Sequence, residues 1–147
     1  MILKLTESDR LIGTLVEAGY YPMVVTKFGE PGLSSSKKST SMFVDMQISD
    51  GKFKGKELSV AFNTETNSPK ILGSMVFMPW GFLFNLASAI TNQPAEAVPT
   101  NLDTDMLIGK PFDAQISKTI SDGVPVNAVM GFLPSGAGAG KRADIPF

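Results

Sequence analysis

The chain has 147 residues, 43% of them hydrophobic and 18% charged, with a net charge of −1. That is enough for one domain with its own core, and the overall charge does not by itself announce a polyanion-binding protein. There is no Cys and no His, which excludes disulfides, thiolate zinc sites, cysteine nucleophiles and histidine general bases.

Met1 to Leu5 is too short and too soon polar for a signal peptide. Thr6 followed by Asp9, or Ser8 as a cap, opens a short helix through Leu11, Ile12, Leu15 and Val16, with an N-terminal arm as the alternative. Gly19 to Phe28 is the first strand, and Pro22 marks its edge or a bulge. Gly29 to Ser39 is a loop of small polar residues carrying Lys37 and Lys38. It is read either as a plain surface loop or as a flap that orders on a phosphate backbone.

From Thr40 to Asn63 two strands alternate apolar and polar residues with period 2. Met42, Val44, Met46 and Ile48 share one face of the first, and Leu58, Val60 and Phe62 one face of the second. Asp50-Gly51 signals a hairpin between them. Beyond it, Lys52, Lys54 and Lys56 share one parity around Phe53. Between Lys27 and Lys56 six lysines stand against three acids, so one face is expected to be basic on a nearly neutral protein. Lysines beside an aromatic ring suit a polyanion with stackable bases. They equally suit a solvated hairpin end protected from edge aggregation.

Thr64 to Ser74 reads as a connection broken by Pro69. Ile71 to Ile90 has the length of a membrane span without a charge. Its Gly, Ser, Pro and Asn residues favour a loop running into a buried helix that starts near Pro79 and places Trp80, Leu83, Phe84, Leu86, Ala87 and Ile90 in the core. No membrane partner is expected. Asp103 and Asp105 lack the remaining ligands of a calcium loop. As a magnesium pair for nuclease chemistry they have no placed pocket, and no enzyme activity, metal or cofactor is expected. A strand with Phe112, Ala114, Ile116 and Ile120 on one face follows. Asp122-Gly123 then turns into a return strand carrying Val124, Val126, Ala128, Met130 and Phe132. The expected fold is mainly β: a five-stranded oligonucleotide-binding (OB) barrel with a helix between strands 3 and 4. Pattern alone leaves a sandwich open. Residues 1–134 form this domain, and 135–147 form a flexible Gly-rich linker with an interaction tip. Ser135 to Arg142 is not a phosphate loop, because no hydroxyl follows Lys141 and no helix follows it.

The last four residues, Asp144-Ile145-Pro146-Phe147, resemble the tip of bacterial single-stranded DNA-binding proteins. The acidic run that precedes the tip in that family is reduced here to Asp144, and Lys141-Arg142 stand where acids are expected. The body is similar to small phage single-stranded DNA-binding proteins of the OB type. The likeness rests on Gly19-Tyr20-Tyr21, on Asp50-Gly51-Lys52-Phe53-Lys54-Gly55-Lys56, on Leu107-Ile108-Gly109-Lys110-Pro111-Phe112, and on Gly131 to Pro134. These short motifs in this order cover about four-fifths of the chain.

The resemblance implies sequence-tolerant binding of single-stranded DNA in phage replication or recombination, in the host cytoplasm. Asp144, Ile145, Pro146 and Phe147 would recruit replication or repair proteins. The lysines Lys27, Lys37, Lys38, Lys52, Lys54 and Lys56 are the candidate phosphate contacts. Phe43 and Phe53 are the candidate stacking rings. Tyr20 is a third, although Tyr20 and Tyr21 point to opposite faces and the pattern does not say which is outside. A homo-oligomer is compatible with the sequence. The rival reading is a protein-interaction module on the same scaffold, without DNA binding.

Overall fold

A computed structural model describes residues 1–33 and 37–138. In chain order the elements are α1 (Glu7–Gly13), β1 (Gly19–Phe28), β2 (Gly32–Leu33), β3 (Thr40–Ile48), β4 (Glu57–Asn63), β5 (Lys70–Leu72), β6 (Met75–Pro79), α2 (Phe82–Thr91), β7 (Pro111–Ser121) and β8 (Val124–Pro134). Two short 3-10 turns, Ala95–Ala97 and Thr104–Met106, lie between α2 and β7.

The strands form one sheet in the order β5-β6-β4-β3-β1-β7-β8, with β2 added beside β3. The sheet curls until β8 returns against β4 and β6. Gly73 N–H donates to Ser121 Oγ at 2.9 Å, tying the β5–β6 turn to the end of β7. The result is a nearly closed barrel. α2 lies against β7 and β8 and buries Leu83, Leu86, Ala87, Ala89 and Ile90.

Among the described residues the sheet has eight strands, not five. The five long ones stand where the alternation put them. The addition is chiefly the β5–β6 hairpin, which occupies what reads in sequence as a connection and the start of a helix. Inward Val76 and Met78 flank Phe77, a period-2 pattern hidden inside an uncharged run. Gly73, at φ 64°, makes the turn. Pro79 therefore ends a strand, and α2 starts only at Phe82, between β6 and β7.

The N-terminal helix forms, but ends at Gly13 before reaching Leu15. Thr6 and Asp9 make its capping box: Thr6 Oγ1 accepts from Asp9 N–H at 3.1 Å, and Asp9 Oδ2 accepts from Thr6 N–H at 2.8 Å. The Thr6 N–H, and the Thr6 hydroxyl that donates to the same oxygen at 2.9 Å, hold the Asp9 carboxyl below its ordinary pKa.

The Asp122-Gly123 turn matches its sequence signal. Both residues have positive φ, 50° and 78°, as a two-residue hairpin loop requires. The expected face of β8 is only partly right. A bulge where Gln115↔Gly131 gives way to Ile116↔Val129 resets the parity. Asn127 and Val129 point inward before it and Phe132 after it, whereas Val124 is exposed. Ile120, opposite Pro125 near the hairpin tip, is likewise exposed.

Asn127 is 4% exposed. Its Oδ1 accepts from Val16 N–H at 2.8 Å, and its Nδ2 donates to Val16 O at 2.8 Å and Ser117 O at 3.2 Å. The amide thus acts as a strand partner for the segment between α1 and β1. Asn127→Ala leaves the buried Val16 N–H and C=O unpaired. It should cost about 2 kcal/mol or more in urea-unfolding stability, because each abandoned buried polar group costs about 1–3 kcal/mol. A loss near zero would show that water replaces the amide.

Candidate nucleic-acid interface

The register of β3 decides what faces outward. Met42, Val44, Met46 and Ile48 are 4% exposed or less, so Phe43 between them points out, and it is 49% exposed. Phe43 pairs with Ala61 on β4, and Ala61 pairs with Phe77 on the parallel strand β6. Phe77 in turn faces Lys70 on β5. One cross-strand row therefore reads Phe43, Ala61, Phe77, Lys70. Ala61 is 0% exposed despite its outward parity, so neighbouring side chains close over it.

Two polar pairs flank this row. On one side Ser59 Oγ donates to Asp45 Oδ1 at 2.6 Å. On the other Asn63 Nδ2 donates to Ser41 Oγ at 2.6 Å. On β1 a register shift between Val25 and Lys27 sets Lys27 opposite Asp45, so Lys27 joins the outer face and is exposed. Sequence reasoning found Phe43 and Lys27 but missed Phe77 and Lys70. The signal for Phe77 was the alternation with Val76 and Met78, masked by the apolar run around it.

The other expected site residues fall into separate groups. The chain from Gly51 to Gly55 is a turn, not an extended strand, so the lysine parity expected there does not apply. Lys52 and Lys54 are exposed. Phe53 is half-buried against the core. Its ring meets Tyr21 edge-on at 6.3 Å, and Lys52 Nζ lies 5.4 Å from its centroid. These residues, with Pro22, Asp50 and Gly51, line a shallow cleft of about 290 Å³. Lys37 and Lys38 are exposed in the β2–β3 connection, with Lys37 in the left-handed region at φ 59°.

Of the two tyrosines, Tyr20 is the outward one. It pairs with Gln115, whereas Tyr21 shares the inward parity of Met23. Tyr20 is half-buried because the chain folds back over it after β8. Gly138 N–H donates to Asp113 Oδ2 at 2.8 Å, and a Cβ at position 138 would sit 2.7 Å from Tyr20 Cβ. Only glycine allows that approach. Asp144, Ile145, Pro146 and Phe147 lie outside the described residues.

Lys56 has a different task. Its Nζ donates to Ile12 O at 2.9 Å and to Leu11 O at 3.3 Å, two carbonyls in the last turn of α1, of which Leu11 O also accepts the Thr14 N–H at 3.1 Å. It lines a cleft of about 510 Å³ with Thr14, Leu15, Ser59, Met75 and Asn127. Asp103 is also occupied, accepting from Asp105 N–H at 3.1 Å as the cap of a 3-10 turn. Among the described residues no three acids cluster as metal ligands, and no helix is long and apolar enough to cross a membrane.

Burial lowers the Lys56 pKa from 10.5. The folded chain then binds this proton less tightly than the unfolded chain does, so stability gains a component that rises with pH between the depressed value and 10.5. Urea unfolding of the unaltered chain and of Lys56→Met across the alkaline range should show that rise shrinking in the variant. Identical slopes would remove the desolvation account. A scan against protein-family models finds no match to this chain, and a search of curated proteins finds none either.

Proposed function

We propose that the protein binds single-stranded DNA without sequence preference, in phage replication or recombination and in the host cytoplasm. The observation that carries the reading is the outer face of β3: a solvent-exposed Phe43 on the sheet, with the exposed Lys27 opposite Asp45, two residues along the strand. An aromatic ring on a curved sheet with flanking cations is what an unpaired, charged, stackable polymer needs. The strand order supports an OB barrel. β1 pairs with β3 and β7, β3 with β4, β7 with β8, and β8 returns to β4. The neighbours of these long strands run in the order expected of a five-stranded Greek-key barrel, a fold that binds oligonucleotides on its second and third strands and adjoining loops. Lys37 and Lys38 lie in such a loop, between the first two long strands.

Lys27, Lys37, Lys38, Lys52 and Lys54 are exposed and are assigned to phosphates. Phe43 is assigned to stacking. Lys56 and Phe53 are assigned to the scaffold instead, because both are engaged in packing. Asp144 to Phe147 would recruit replication or repair proteins, an apolar anchor and an anion on one tether. No catalytic step is assigned to the chain. A protein-interaction module is the second reading. It draws on Asp45, an acid on the same face as Phe43 that phosphate contacts would have to offset.

Fluorescence anisotropy of labelled oligo-dT over a salt series tests the assignment. Single strands give a slope of about −0.7 per phosphate neutralised, so five lysines give about −3.5 in log K against log salt. Lys27→Gln or Lys52→Gln should each flatten the slope by about 0.7, and Lys56→Gln should leave it unchanged. No binding at low salt would remove the DNA reading and favour the interaction module.

A further inference from the structure

We infer that Phe43, Ala61 and Phe77 together form a holding site for one unpaired nucleobase, with Phe77 as a second stacking wall and Ala61 as the floor. The inference rests on the proposed DNA binding and extends it to a strand outside the five-stranded barrel. The three residues occupy one cross-strand row on β3, β4 and β6. Adjacent strands lie about 4.8 Å apart, so the two rings are carried on backbones about 9.6 Å apart with only a methyl group on the strand between them. A larger side chain at position 61 would fill that gap. Alanine leaves it open to the side chains around it, and has no exposed surface of its own. Side chains at a surface rotate within nanoseconds, so opening the gap requires no backbone movement.

The polar rim explains why such a site would tolerate any base. Ser59 is bonded to Asp45, and Asn63 to Ser41. The Ser59 hydroxyl is thus taken by Asp45, and the Asn63 amide is taken by Ser41, by Ser39 at 3.3 Å and by the Glu65 N–H at 2.7 Å, so both side chains are held by the protein and not aimed at a base edge. Charge is supplied beyond the rim, by Lys27 next to Asp45 and by Lys70 at the end of the Phe77 row. Cations at the margins and rings at the centre match a base with its phosphates on either side. A second protein would instead be met by a mostly hydrogen-bonded polar surface around a small apolar row.

The test compares oligo-dT with an abasic strand of equal length and charge, against the full-length chain and Phe43→Leu, Phe77→Leu and the double variant. Leucine keeps apolar volume on the strand, and thermal melting checks that each variant folds. A site for one base predicts that Phe77→Leu weakens oligo-dT binding about 5- to 150-fold. The loss should be comparable to that of Phe43→Leu, without effect on the abasic strand. The double variant should lose little more than either single one, because both rings hold the same base. If Phe43→Leu weakens binding and Phe77→Leu does not, the second wall is wrong and the DNA reading survives. Additive losses would overturn the single-base site. If the unaltered chain binds neither strand, the proposed function fails first and the inference with it.

Discussion

The pairing of β3 with β4 is the constraint from which the rest follows. Side chains alternate across a strand, so a slip of one residue would turn Met42, Val44, Met46 and Ile48 out and Phe43 in. Each of those four, moved from the core to water, would forfeit about 1.5–3 kcal/mol. The core therefore fixes Phe43 on the surface, at the cost of exposing an aromatic ring. The same register sets Val60 and Phe62 inside and Ala61 outside, and through the parallel β4–β6 pairing it sets Phe77 outside as well. The candidate interface is the reverse side of the core, not a separate device attached to it.

The charged residues divide according to what surrounds them. Lys27, Lys52 and Lys54 stand in solvent, where a phosphate can reach them. Lys56 is desolvated and already donates to two carbonyls of α1. In sequence the three turn lysines look equivalent, yet one holds the N-terminal helix against the barrel. The ion pairs Arg10–Glu7 and Lys118–Glu17 are largely exposed and contribute little. The buried Asn127 amide does more for the architecture, because it pairs backbone groups that water does not reach.

Period-2 alternation made five strands legible, together with the faces of β3 and β4 and two Asp-Gly turns, because those two strands bury one side and wet the other. Three kinds of information were not local. The β5–β6 hairpin lies in an uncharged run where neither face is marked by charge, so Phe77 went unnoticed. The bulge in β8 shifts parity at a point that no residue type announces, so Val129 joins the core although the alternation through Val124, Val126 and Ala128 passes over it. The fates of Phe53 and Lys56 depend on partners distant in sequence, Tyr21 and the end of α1. Phe43 was readable because its neighbours on both sides are large and apolar. Tyr20 was not, because its cover comes from Gly138, whose contact with Asp113 spans 25 residues.

The central claim is that the outward face of β3, β4 and β6 meets the ligand. The most direct measurement is a titration of the isotopically labelled chain with oligo-dT, followed by amide and aromatic side-chain chemical shifts. The account predicts the largest changes at the Phe43 and Phe77 rings and at the amides of Lys27, Asp45 and Ala61, with small changes at Lys56, Asn127 and α2. Shifts concentrated at α2 or the cleft beside Lys56, with Phe43 unmoved, would contradict it.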